Sequence, residues 1–224
     1  MIKAVLLDVD NTLLDFNLSA KEAVKTAFGI LGLEFYDGIM SVFLRTNDEL
    51  WHAIERKEIT RRELHEIRWR RIFSELKINA DGGEMERLFL ADLENHAIPV
   101  SGATDLLKYL SQKYPLFTAS NAPYPQQVKR LTISGLMPYI KDIMNFETEG
   151  VHKPQKEFFE RCVVAMRPAK REEIALIGDS LSADMTGGKN AGFTTVWFNP
   201  HGQVAPEGLC DFTVKDLAEI KNFL

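Results

Sequence analysis

Five short apolar runs, each ending at a polar loop, constrain this 224-residue chain more than any other feature. They cover residues 2–9, 116–120, 142–146, 174–178 and 194–198. Helical patterns lie between the later ones. Leu106, Leu107 and Leu110 mark one, Val128, Leu131 and Ile133 a second, and Phe158, Phe159, Cys162, Val163 and Met166 a third. These are the offsets of a buried helical face. Strands alternating with single helices require βαβ crossovers, and therefore a parallel sheet. Runs such as AVLL and IALIG, apolar throughout, suit strands covered on both faces. The expected fold class is α/β, a doubly wound parallel sheet.

Between the first run and Pro99 this rhythm stops. The stretch reads as helical over 20–31, 40–54, 64–76 and 85–93, with no convincing strand. Thr60 followed by Glu63 reads as a capping box opening the third of these helices. Asp81, Gly82 and Gly83 form a turn before the fourth. An all-helical block inserted after the first strand divides the chain into a core domain of residues 1–15 and 99–224 and a helical cap of residues 16–98. Its hinges are expected at 15–17 and 98–102.

Composition narrows the function classes. Hydrophobic residues make up 45% and charged residues 26%, an ordinary globular balance. A net charge of -5 argues against a nucleic-acid-binding surface. Attraction for an anionic ligand must then be local, through a metal ion or one or two placed lysines. Cys162 and Cys210 have neither disulfide-framework nor metal-ligand spacing and read as reduced thiols. The opening MIKAVLLDVD breaks off at Asp8 and Asp10, unlike a signal peptide. No segment reaches the ~20 apolar residues of a membrane span. A cytoplasmic protein with no membrane or nucleic-acid partner, monomer or homodimer, is expected.

Function in open parallel sheets gathers at the carboxyl ends of strands. Here those ends offer Asp8, Asp10 and Thr12, then Ser120 and Asn121, then Asp179 with Asp184 beyond, while Lys153 precedes Pro154, read as a first helical residue. Four carboxylates brought together repel: two unit charges ~4 Å apart cost about 4 kcal/mol at an effective dielectric near 20. A hard divalent cation among them removes the conflict, and oxygen ligands favour Mg2+. Asp8, Asp179 and the Asp10 backbone carbonyl are the candidate ligands. Asp184 stands behind them, holding a metal-bound water or the Lys153 ammonium.

These residues resemble the haloacid dehalogenase-like superfamily of phosphohydrolases, over essentially the whole chain. DVDNT stands at that family's DxDxT loop, Ser120 at its hydroxyl motif, Lys153 at its lysine motif, and GDSLSAD at its GDxxxxD motif. The inserted helices match its first type of cap. The resemblance implies a phosphatase in which Asp8 is the nucleophile and Asp10 the acid and base. Lys153 and the metal neutralise phosphoryl charge, Ser120 and backbone N–H groups bind phosphoryl oxygens, and Thr12 supports the loop. The dehalogenase branch lacks the second aspartate, so Asp10 points to phosphoryl transfer.

A narrower resemblance, to the noncanonical pyrimidine 5′-nucleotidase branch, rests on NDELWHAIERKEITRRELHEIRWRRIF, GVHKPQKEFF and TVWFNPHGQVAPEG. It implies a nucleoside 5′-monophosphate as the small phosphate ester. A phosphatase or mutase for phosphoglycolate or a sugar phosphate shares every catalytic residue. A receiver-like signalling module is opposed by Asp10, the acidic motif after the lysine, and the helical insert. Phe16, Trp51 and Trp69 offer faces for a base and Asn47 an edge, with core packing the competing role for each. Asn121 either contacts substrate or shapes its loop. Arg61, Arg62, Arg68, Arg70 and Arg71, interleaved with Glu63 and Glu66, read as a solvated helix face.

Overall fold

The computed structural model describes Met1–Leu224 except Glu147 and Glu149. The chain falls into two compact units, Met1–Asp15 with Ala97–Leu224, and Phe16–His96. The first unit holds a six-stranded sheet, every pairing parallel, in the order β3-β2-β1-β4-β5-β6. The strands are β1 (Ala4–Asp8), β2 (Leu116–Ala119), β3 (Asp142–Met144), β4 (Ile174–Gly178), β5 (Thr194–Phe198) and β6 (Phe212–Val214). Its helices are α5 (Ala103–Leu110), α6 (Tyr124–Ile133), α7 (Lys156–Ala165) and α8 (Gly187–Ala191).

Side-chain alternation divides the core of this unit into two layers. Val5 and Leu7 of β1, with Ala175 and Ile177 of β4, pack against Leu106, Leu107 and Leu110 of α5 and Leu131 of α6. Ala4, Leu6, Ile174 and Leu176 point the other way, toward Phe158, Phe159 and Cys162 of α7. The period of two along each strand puts apolar side chains on both faces, which is why these strands read as unbroken apolar runs. The strand order reverses direction at β1: the chain builds outward through β2 and β3, then returns to β4 on the other flank. The carboxyl ends of β1 and β4 thus open a crevice at the switch point.

Three expectations change. Ile133 is exposed, and α6 buries Gln127 and Arg130 beside Leu131 instead, because positions i, i+3 and i+4 share one face. Pro154 lies in a turn, with α7 starting at Lys156 after Gln155 as its N-cap residue. Strand β6 carries too little signal to be seen in the sequence, since only Val214 of its three residues is buried.

The second unit packs α1 (Phe16–Ile30), α2 (Asp37–Glu55), α3 (Arg61–Leu76) and α4 (Gly82–Leu93). Thr60 opens α3 with a complete capping box: its Oγ1 accepts from the Glu63 N–H at 3.2 Å, and its N–H donates to Glu63 Oε2 at 2.7 Å. Asp81 caps α4 by accepting from the Gly83 N–H at 2.7 Å. An aromatic core of Phe28, Phe43, Trp69, Phe73 and Phe89 fills the centre. Arg68, expected on a solvated face, is buried there instead. Its Nη2 donates to Glu86 Oε1 at 2.6 Å and its Nη1 to Asn47 Oδ1 at 2.8 Å, while the guanidinium lies over the Phe89 ring. Arg62, Arg70 and Arg71 are exposed. No described helix is long and apolar enough to cross a membrane.

Glu86→Leu strands the Arg68 charge in an apolar interior and is expected to lower stability by about 3–5 kcal/mol in urea unfolding. Adding Arg68→Met should recover most of that loss; an unchanged midpoint in the single variant would show the pair to be dispensable. Burial also pushes the Cys162 thiol up to about 12 from its ordinary 9.0. The folded thiol keeps its proton where the unfolded one loses it. Its contribution is therefore intact below about pH 9 and is lost toward pH 12, at ~1.4 kcal/mol per unit. Cys162→Ala is expected to make the alkaline limb of the stability–pH curve shallower, and a limb of unchanged slope would refute this.

Candidate active site

Asp8 is the last residue of β1 and faces the ends of both neighbouring strands, pairing in register with Ala119 of β2. The chain then turns tightly. Leu13 and Leu14 donate their N–H groups to the Val9 carbonyl at 2.9 and 2.8 Å, and Asn11 donates to the Leu14 carbonyl at 2.7 Å. Asn11 takes the left-handed conformation, φ 60°, which asparagine tolerates better than most residues. Thr12 is buried within this turn, its Oγ1 3.4 Å from Asp179 Oδ1.

At the end of β4, Asp179 follows Gly178. A Cβ at position 178 would collide with the Asp184 carboxylate, so only glycine allows that carboxylate its place. Ser180 starts the helical turn Leu181–Thr186 by accepting the Ala183 N–H at 3.0 Å. That turn brings Asp184 back to the strand end, where its Oδ2 accepts the Ser180 N–H at 3.2 Å. Asp8, Asp179 and Asp184 each present a carboxylate oxygen, all within 4.8 Å of one another.

Lys153 enters this acidic cluster almost fully buried. Its Nζ donates to Asp8 Oδ1 at 2.5 Å, Asp184 Oδ1 at 2.7 Å and the Ala119 carbonyl at 2.9 Å. All three ammonium hydrogens are used. Asn121 fixes the lysine from behind: its Oδ1 accepts the Lys153 N–H at 2.8 Å and its Nδ2 donates to the Lys153 carbonyl at 3.0 Å. Of the two roles open for Asn121, its bonds are those of loop shaping. Burial opposes the charged form of Lys153, but Asp184 and Asp8 outweigh it and raise its proton affinity. Burial pushes the Asp8 carboxyl up to about 7 despite Lys153, with Asp184 and Asp10 adding to the rise. Asp179 is raised well above the usual carboxylate range, by burial first and then by Asp8 and Asp184.

Asp10 faces α6. Its Oδ1 accepts from Arg130 Nη1 at 2.5 Å and its Oδ2 from Gln127 Nε2 at 2.7 Å. Gln127 Nε2 also donates to Ser120 Oγ at 2.8 Å, and the Ala122 N–H donates to the same oxygen at 3.1 Å. With both acceptor positions filled, the Ser120 hydroxyl proton is what it has left to donate. Arg130 and Gln127 escape a motif-based reading. Their signal is the spacing 127, 130, 131, which places them beside Leu131 on one helical face.

Charge decides whether a cation fits. Asp8, Asp10, Asp179 and Asp184 carry four negative charges when ionised, against two positive charges on Lys153 and Arg130. The excess of two, with an all-oxygen donor set and two carboxyls raised by burial and then by their acidic neighbours, matches a hard divalent ion. The residues present therefore fit magnesium, which Asp8, Asp179 and Asp184 have the carboxylate oxygens to hold.

The haloacid dehalogenase-like hydrolase family model matches residues 2–192. The chain belongs to this family. It is 33% identical to the HAD-hydrolase YfnB of Bacillus subtilis over 99% of this chain and 95% of YfnB. The structure of YfnB bound to magnesium superposes with a TM-score of 0.93 at 32% identity, covering 99% of this chain and 97% of that one. The chain is also 34% identical to the pyrimidine 5′-nucleotidase PynA of Streptococcus pneumoniae, over 89% of this chain and 84% of PynA. Identity to the pyrimidine 5′-nucleotidase YjjG of Escherichia coli is 26%, over 98% and 96% of the two chains.

Of the candidate base contacts of the helical unit, Trp69 and Asn47 are buried, while Trp51 and Phe16 are half-buried. Trp69 is fully enclosed by Phe28, Phe43, Phe73 and Phe89, leaving no open face for a base. Asn47 is buried and holds Arg68. Trp51 packs partly buried beside Leu50, Ile54 and Leu64, and Phe16 is half-buried with its ring stacked 6.5 Å from Phe43. Apolar packing takes Trp69, because large aromatic side chains bury the most area in a small unit's core.

Magnesium is expected to raise the melting temperature of the folded chain, since the unfolded chain does not gather these carboxylates. At a free concentration a hundredfold above Kd the gain is ~2.7 kcal/mol. Asp179→Asn should abolish the rise in a thermal-shift titration, and an equal rise in that variant would place the ion elsewhere.

Proposed function

We propose that this hydrolase is a magnesium-dependent phosphatase that forms an aspartyl-phosphate on Asp8 and prefers pyrimidine nucleoside 5′-monophosphates. The observation that carries the reading is the buried Asp8 carboxylate, oriented by Lys153 at 2.5 Å, with a second aspartate two residues on turned toward a separate cation. One carboxylate is thus set up to attack and the other to move a proton. The similarity to PynA and YjjG supports the choice of substrate class.

The first half-reaction joins an Asp8 oxygen to phosphorus while the ester oxygen leaves and takes a proton from Asp10. Lys153 balances the charge of a carboxylate meeting an anionic ester, and the Ser120 hydroxyl donates to a phosphoryl oxygen. The Asn11 to Leu14 N–H groups serve the turn itself, so the phosphoryl oxygens are left to other donors. Magnesium, when bound, adds neutralising charge at the same centre. In the second half-reaction water attacks the phosphorus, Asp10 takes the water proton, and the Asp8 carboxylate departs. The unit Phe16–His96 serves as the cap domain of this enzyme. A cytoplasmic address belongs to the same reading.

Phosphate release should be measured on pyrimidine and purine 5′-monophosphates, phosphoglycolate and several sugar phosphates. The expected result is a preference for the pyrimidine monophosphates, abolished by chelator. Asp8→Asn should lower release by about a thousandfold or more. Preference for another ester would discard the nucleotide and keep the chemistry. Absence of magnesium-dependent release from every ester would sink the reading as a whole.

A further inference from the structure

Arg130 is fully buried, and its Nη1 donates to Asp10 Oδ1. One turn earlier on the same helix, Gln127 Nε2 bridges Asp10 Oδ2 and Ser120 Oγ. The Asp10 carboxylate is thereby gripped at both oxygens from a single helical face, 117 and 120 positions away in sequence. Leu131, on that face and in the core, fixes the helix that carries them. A buried guanidinium is a poor way to fill space, because an apolar side chain of similar volume packs there without the loss of hydration. Packing alone therefore does not account for Arg130.

We propose that Arg130 and Gln127 are positioning residues for the acid–base carboxylate. Arg130 fixes the direction of Asp10, and Gln127 ties that direction to Ser120, the hydroxyl that meets the phosphoryl group. This rests on the phosphatase reading above. The Asp10 side chain is 26% exposed on a turn, so without the helix it has room to change rotamer. Proton transfer requires heavy atoms within about 2.6–3.2 Å, a condition that a wandering carboxylate seldom meets.

The two half-reactions depend on this placement unequally. With 4-nitrophenyl phosphate, the ester P–O bond breaks and 4-nitrophenolate leaves with the electron pair, needing no proton. Decay of the phosphoenzyme always needs one moved: a water oxygen bonds to phosphorus, the Asp8–phosphorus bond breaks, and the water proton passes to Asp10. Loosening Asp10 therefore slows decay more than formation.

The full-length Arg130→Gln, Gln127→Leu, Arg130→Lys and Asp10→Asn variants should be mixed rapidly with 4-nitrophenyl phosphate in the presence of magnesium. Arg130→Gln is expected to show a nitrophenolate burst of about one equivalent, then turnover about a hundredfold slower than wild type. Arg130→Lys should restore most of the slow phase. Combined with Asp10→Asn, Arg130→Gln should cause no further loss, because it acts through the missing group. A parallel fall in burst and turnover rates, or a further loss in the Asp10→Asn background, would overturn the proposal. If Arg130→Gln does not fold, Gln127→Leu gives the same reading through the other carboxylate oxygen. A wild type with no activity, or an Asp10→Asn variant without a burst, would instead overturn the underlying phosphatase mechanism.

Discussion

The sheet-forming unit is organised around one buried ammonium. Lys153 reaches Asp8 at the end of β1, the Ala119 carbonyl at the end of β2 and Asp184 beyond β4. Three central strand ends thus meet at a single cation. Burying such a charge costs several kcal/mol unless its hydrogens are all accepted, and here they are. Much nearby detail follows from keeping that arrangement. Asn121 holds the lysine backbone at both its N–H and its carbonyl, and Gly178 lacks the Cβ that would displace Asp184.

The same problem of a buried cation is solved elsewhere with a different outcome. In the helical unit Arg68 meets Glu86, one charge against one, and aromatic rings close around the pair. That pair is balanced and holds helices together. In the sheet unit, Asp8, Asp10, Asp179 and Asp184 face two cations among the described residues, Lys153 and Arg130. Imbalance is unfavourable for a scaffold and useful for a site, because it stores affinity for a divalent ion. The contrast marks the sheet-unit cluster as the candidate site on electrostatic grounds.

Much of the sheet unit was legible because its strands are covered on both faces and so appear as continuous apolar runs. β4 and β5 coincide with runs 174–178 and 194–198, while β6, largely exposed at the sheet edge, left no apolar signature. The capping box at Thr60 was legible because it is a contact between residues three apart. Arg68 was misread because its neighbours in sequence, Arg70 and Arg71, lie on the solvated side of the same helix. Which arginine turns inward depends on what packs against α3.

By itself the sequence determined the order of the first five strands and of the helices α5, α6 and α7, the helical insertion, and the acidic, hydroxyl and lysine groups delivered to the strand ends. Those properties follow from local periodicity and from the rule that parallel strands present their carboxyl ends together. Only the tertiary structure decided how the charges are partnered: Asp8 with Lys153, Asp10 with Arg130 and Gln127, Arg68 with Glu86. Partners separated by 117 to 145 positions at the strand ends meet because two crossovers stack their elements on one sheet. Nothing local records that meeting, since a hydrogen bond depends on where atoms lie in space and a residue's neighbours in sequence constrain this only through the whole fold.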